Sequence, residues 1–125
     1  MTIQEVLDIV DGQKPNMMTE AQKIRAISDI EGMIHSDIIM KHVHTQEEET
    51  CPVYTSETDR QTVLLAPERF CYLYVYWVET RIDDMNQEMD KFNNDYAKFD
   101  NLYGSLADFW TQTHMPITAK THFAL

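Results

Sequence analysis

Glycine is scarce in this chain, at three of 125 residues, and proline stands at four. So few turn formers argue against a sandwich built from many short strands, whose turns draw on these residues. Cysteine is limited to Cys51 and Cys71, which show no paired spacing. A chain of this length can bury roughly two thirds of its unfolded surface, so a core forms without disulfides or metal, and reduced thiols in a cytosolic compartment are expected. The longest apolar run, residues 70–78, is nine residues, about half of what a membrane span needs. Residues 1–10 lack the basic and continuous apolar stretches of a secretory signal. The reading is a soluble protein.

Positive charge is also in short supply. Ten Lys and Arg face 21 Asp and Glu, for a net charge of -11. Phosphates repel such a chain, and counterion release has few cations to work with, so gripping of nucleic acid is not expected. The charge suits an ordinary acidic soluble protein as well as one that stays unaggregated before assembly or lets DNA pass without sticking.

What the chain does have is helical periodicity. Thr2 and Glu5 have the capping-box spacing, and Ile3, Val6, Leu7 and Val10 follow at helical intervals up to Asp11 and Gly12. Pro15 and Asn16 mark a loop, and Thr19 with Gln22 starts a second helix. Ile24, Ile27, Ile30, Ile34 and Ile38 form its apolar face, with Glu31, Ser36 and Asp37 expected toward solvent and an end near His42. Residues 44–66 change character. Two short β-prone runs, around Val53 and Tyr54 and from Thr62 to Leu65, flank a polar turn and read as a long loop or a short hairpin.

Pro67 and Glu68 are a good helix start. Cys71, Val75, Val78, Ile82, Met85, Met89, Phe92, Tyr96, Phe99, Tyr103, Leu106 and Trp110 then recur alternately four and three apart, a 3.5-residue stripe of coiled-coil-like packing. One helix over 67–113 would be about 70 Å long, too long for a compact domain, and a break near Asn93, Asn94 and Asp95 would give two packed helices, although the sequence does not force two over one. The fold class is therefore mainly α. It comprises a bundle of about four helices over 1–113, with an insertion at 44–66 and an extended C-terminal arm at 114–125. Val75, Val78, Ile82, Met85, Met89, Phe92, Phe99 and Trp110 are the candidate core or intersubunit stripe. The arm carries His114, Met115, Pro116, Ile117, Phe123 and Leu125, apolar enough to suggest docking on a neighbour, although a frayed terminus reads equally well.

Catalytic constellations are missing. His42, His44, Glu47, Glu48, Glu49 and Cys51 are the only cluster of metal-ligand types, and without a second anchored pair they read as a solvated acidic loop. Glu79, Asp83, Asp84, Glu88 and Asp90 lack the paired spacing that holds magnesium and phosphates, so with Arg81 and Lys91 they read as a surface ladder of charge pairs. Gly12, Gly32 and Gly104 are isolated, which excludes a glycine-rich phosphate loop, and no cysteine or serine has a nucleophile motif around it. Neither an enzyme nor a metal or cofactor is expected.

Several segments together resemble the head-to-tail connector proteins of tailed bacteriophages. They are Ala66 to Phe70, Leu73-Tyr74-Val75-Tyr76, Ile82-Asp83, Asn86, Glu88, Phe92-Asn93-Asn94-Asp95, Phe99-Asp100, Tyr103, Phe109-Trp110 and Thr113-His114-Met115-Pro116. Thr2 to Leu7, Lys14-Pro15-Asn16 and Ile30 to Ile34 fit as well, so the likeness covers nearly the whole chain. The sequence departs from that pattern at Trp77, Val78 and Met85. The resemblance implies a virion neck subunit, assembled in the host cytoplasm into a homo-oligomeric ring of about twelve copies. One side of the ring would bind the portal and the other the head-closure or tail protein, and double-stranded DNA would pass through the lumen without specific binding. On this view the arm from His114 reaches the portal, and the loop with Glu47, Glu48, Glu49 and Tyr54 faces the lumen or tail side. The competing class is a small acidic helical binding module or regulator unrelated to virions.

Overall fold

The computed structural model describes residues 1–117 and shows four α-helices and three 3-10 turns. Phe123 and Leu125, expected as arm contacts, lie outside the described residues. Helix α1 (Ile3–Gln13) is capped by Thr2, whose hydroxyl accepts from Glu5 N at 3.2 Å, and it buries Ile3, Val6, Leu7 and Val10. It runs through Asp11 and Gly12 before Lys14 closes it. Helix α2 (Glu20–Asp37) opens on a complete capping box between Thr19 and Gln22. A 3-10 turn, Ile39–Lys41, extends it to His42.

The insertion is a loop. Among the described residues no strand forms; there are only isolated bridges at Thr2 with Val63 and His42 with Pro116. The β-prone runs do not pair with each other because the second is taken by the N-terminus. Ile3 N donates to Thr62 O at 3.2 Å, Gln4 N to Arg60 O at 3.0 Å and Leu64 N to Met1 O at 3.0 Å. Loop carbonyls thus satisfy two of the N–H groups that the first turn of α1 leaves without an intrahelical partner. Arg60 pins this stretch to α2 through Glu20, at 2.6 Å.

Pro67 precedes a 3-10 turn, Glu68–Phe70, that leads into α3 (Tyr72–Met85). Helix α3 packs against α1, α2 and α4 and is the central helix, as its near-continuous apolar surface requires. Helix α4 (Met89–Thr113) runs back along it. The chain breaks at Asn86, Gln87 and Glu88, not at Asn93 to Asp95, and those three residues lie inside α4. Asparagine and aspartate are tolerable within a helix that tertiary packing supports, and Asp95 here is buried. The turn instead uses Gln87 at φ 57°, a left-handed conformation that costs a side-chain-bearing residue about 1 kcal/mol. Gln87→Gly is therefore expected to raise stability by about 0.5–1 kcal/mol, read as a higher urea midpoint. An unchanged or lower midpoint would contradict this account of the turn.

The break divides the 3.5-residue stripe. Val75, Val78, Ile82, Phe99, Leu106 and Trp110 are buried, and Phe92 is half-buried. Met85 and Met89, which flank the turn, and Tyr96, two turns into α4, are 45, 56 and 43% exposed. The stripe is thus core away from the turn and surface beside it.

Candidate functional site

No described helix is long and apolar enough to cross a membrane. Among the described residues no group of three or more His, Cys, Asp or Glu side chains is placed to hold a metal ion. The two cysteines are free, Cys51 exposed and Cys71 buried. The positions singled out in the sequence fall in three places: the acidic loop, the arm and the tip of the α3–α4 hairpin.

The acidic loop is more ordered by contacts than a solvated charge run would be. Glu47–Glu49 is a 3-10 turn. Thr45 N donates to the Glu48 carboxylate at 2.8 Å and Glu48 N donates to Thr45 Oγ1 at 3.3 Å, a miniature capping box. That backbone donor holds the Glu48 carboxyl below its usual range. The Nε2 of buried His35 lies 2.8 Å from Glu48 O and fastens the turn to α2. Glu47 and Glu49 remain exposed, and His44 stands 3.5 Å from Glu49.

Tyr54, grouped with these residues in the sequence, points inward. Its hydroxyl donates to Glu31 Oε2 at 2.7 Å, Leu65 N donates to the same oxygen at 2.9 Å, and the Tyr74 hydroxyl donates to Oε1. Ala66 N in turn donates to the Tyr74 hydroxyl at 3.0 Å. Glu31 is 0% exposed, so the expectation that it faces solvent is wrong. It lies four residues after Ile27 and three before Ile34, on the apolar face itself, and buried donors compensate its desolvation. Burial pushes its carboxyl upward, and the hydrogen bonds from Tyr74, Leu65 and Tyr54 partly oppose that; both tyrosine hydroxyls are raised in turn, chiefly by burial.

The arm begins on its own chain. Val43 N donates to Met115 O at 2.7 Å and Ile117 N donates to Lys41 O at 2.8 Å, so 115–117 runs antiparallel to 41–43. Buried His42 sits under this pairing, with Nδ1 2.6 Å from Ile38 O and Nε2 3.1 Å from Thr111 Oγ1. His114 stacks on Trp110 with centroids 4.3 Å apart. Met115 and Ile117 nevertheless stay 68 and 38% exposed.

At the hairpin, the expected surface ladder of charge pairs is reduced to Lys91 with Glu88 at 2.5 Å. Arg81 instead lies over the rings of Trp77 and Phe92, at 4.7 and 5.8 Å. Glu79 and Asp83 are buried. Asp83 accepts from Lys14 Nζ, which also reaches Asp95 at 2.8 Å. No sequence pattern pairs Lys14 with residues 69 and 81 positions away, although Asp95, four residues before Phe99, lies in the buried phase of α4.

Comparison with protein-family models, with curated proteins and with solved structures gives no match for this chain.

Proposed function

We propose that the protein is a structural subunit of a phage neck, forming a ring of about twelve copies that joins the portal to the head-closure or tail proteins around the DNA channel. The observation that carries this reading is the division of the stripe. Met85, Met89 and Tyr96 continue the stripe that builds the core but are exposed and uncovered among the described residues, as surfaces that assemble are. Two features agree with it. Met115 and Ile117 are presented from a fixed point, anchored beside Lys41 and Val43, and not from a loose end. The net charge of -11 suits a wall past which DNA slides.

A reconstruction of particles containing the protein tests the reading. Density for a ring of copies between portal and tail, closed by heterologous contacts, is the expected result. A protein that stays monomeric in the presence of the portal and is missing from purified particles would overturn it. The anchoring of 114–117 also moves the informative truncation. Deleting 118–125 removes none of the contacts described above, so the shortened chain should still fold, read as a cooperative thermal transition. Incorporation into particles should be lost. Normal incorporation would remove 118–125 from the docking surface.

A further inference from the structure

We propose that Lys14, Asp83, Asp95 and Glu79 form a proton-operated latch that fastens the α3–α4 hairpin to the end of α1. This inference stands on its own geometry and does not depend on the neck assignment. Three carboxylates are removed from water here, Glu79 at 5%, Asp83 at 0% and Asp95 at 8% exposed, and among the described residues a single ammonium, Lys14, bonds two of them. Lys98, the other cation acting on the group from α4, is itself exposed and bonds none of the three. The groups facing one another are thus Lys14 from the α1–α2 connection, Glu79 and Asp83 from α3, and Asp95 and Lys98 from α4. The balance is one bonded cation to three buried acids. Asp83 Oδ2 is buried with no hydrogen-bond partner among the described residues, so that carboxylate is incompletely satisfied when charged.

A proton resolves both deficits. On Asp83 it removes one of the excess charges and turns the carboxyl into a donor beside Asp95, with which Asp83 shares hydrogen-bond reach. Burial and the neighbouring Asp95 push Asp83 up to about 6, against the pull of Lys14, while at Asp95 the upward push of burial is outweighed by Asp83 and Lys14, which hold it below its ordinary value. Glu79 is raised by burial first and then by Asp95. The direction of the linkage follows. A carboxyl raised in the folded state contributes stability that is complete below its unfolded value and is lost as pH rises through about 6. The latch is therefore tight in mild acid and slackens toward neutral pH. Its mechanical reach is short, because Glu88 N donates to Asp83 O at 2.9 Å and Asn86 N to Ile82 O at 2.9 Å. The turn hangs directly from the latch, and the exposed Met85 and Met89 flank it on either side.

The test is a carboxyl-carbon NMR titration of the full chain between pH 4 and 8, paired with urea unfolding at pH 5 and pH 7.5 in wild type and Asp83→Asn. Asp83 should titrate well above the ordinary 3.8. The wild type should lose stability relative to Asp83→Asn as pH rises, by at most about tenfold in the folding constant per pH unit, the one-proton limit. Taking the difference between the two proteins removes the contribution of titratable groups remote from Asp83 that both retain. An ordinary titration of Asp83, or an identical pH dependence in both proteins, overturns the latch. If Asp83→Asn fails to fold, Lys14→Met carries the test: loss of the ammonium should move the Asp83 titration upward by about one unit, and an unmoved titration refutes the proposal.

Discussion

Glu31→Ala is expected to lower the unfolding free energy by about 3 kcal/mol or more, a large share of the roughly 5–15 kcal/mol that holds such a domain together. The substitution removes one acceptor group and leaves three donors buried without a partner: the Tyr54 and Tyr74 hydroxyls and Leu65 N. Each unsatisfied buried donor costs about 1–3 kcal/mol, and a side-chain-sized void adds to that. The thermal midpoint should fall by about 10 °C or more. Glu31→Gln keeps the volume and one acceptor oxygen, so its loss should be intermediate. The damage should also be local in character. Tyr54 and Leu65 belong to the 44–66 loop, so amide exchange there should accelerate before exchange in α3 does. A Glu31→Ala protein within about 1 kcal/mol of wild type would show that the carboxylate is not the group that seats the loop.

Much of this architecture is legible in the sequence, and its limits have physical causes. The caps at Thr2 and Thr19 are local chemistry, and they stand where their spacing places them. The central position of α3 follows from a surface apolar on nearly all sides. The break between α3 and α4 was misplaced because two asparagines and an aspartate resemble a turn. The actual turn is set by what the hairpin can bury, and it settles on a glutamine in a strained conformation. The same limitation explains Glu31 and the Lys14 cluster. A carboxylate in the apolar phase of a helix can be a register slip, a solvent-facing exception or a satisfied buried group. Only the positions of Tyr54, Tyr74 and Leu65, 23, 43 and 34 residues away, decide among these. Of the two readings of 44–66, a long loop or a short hairpin, the loop is the one that forms, because the N-terminus competes for the second β-prone run and also has helix-end donors to satisfy there.

Phe99→Ala is expected to cost about 3–5 kcal/mol, the range for deleting a buried aromatic ring. Phe99 is 3% exposed and is the node of the α3–α4 seam, with ring centroids 5.0 Å from Trp77, 6.0 Å from Tyr96 and 5.5 Å from Tyr103. Helix α4 buries only Asp95, Phe99, Leu106 and Trp110 along its 25 residues, so losing Phe99 removes a large part of what attaches it. Met89 lies ten positions earlier in the same 3.5-residue stripe and provides the control, because it is 56% exposed. Met89→Ala should change stability by no more than about 0.5 kcal/mol, as surface substitutions do. Urea unfolding of the two variants separates core from surface within one sequence pattern. Equal losses would mean that the stripe is buried throughout and that the exposed row at the hairpin tip does not exist. With the expected outcome, Met89→Ala becomes the variant that tests the proposed neck assembly alone: if that proposal holds, the folded chain's incorporation into particles falls while its unfolding midpoint does not.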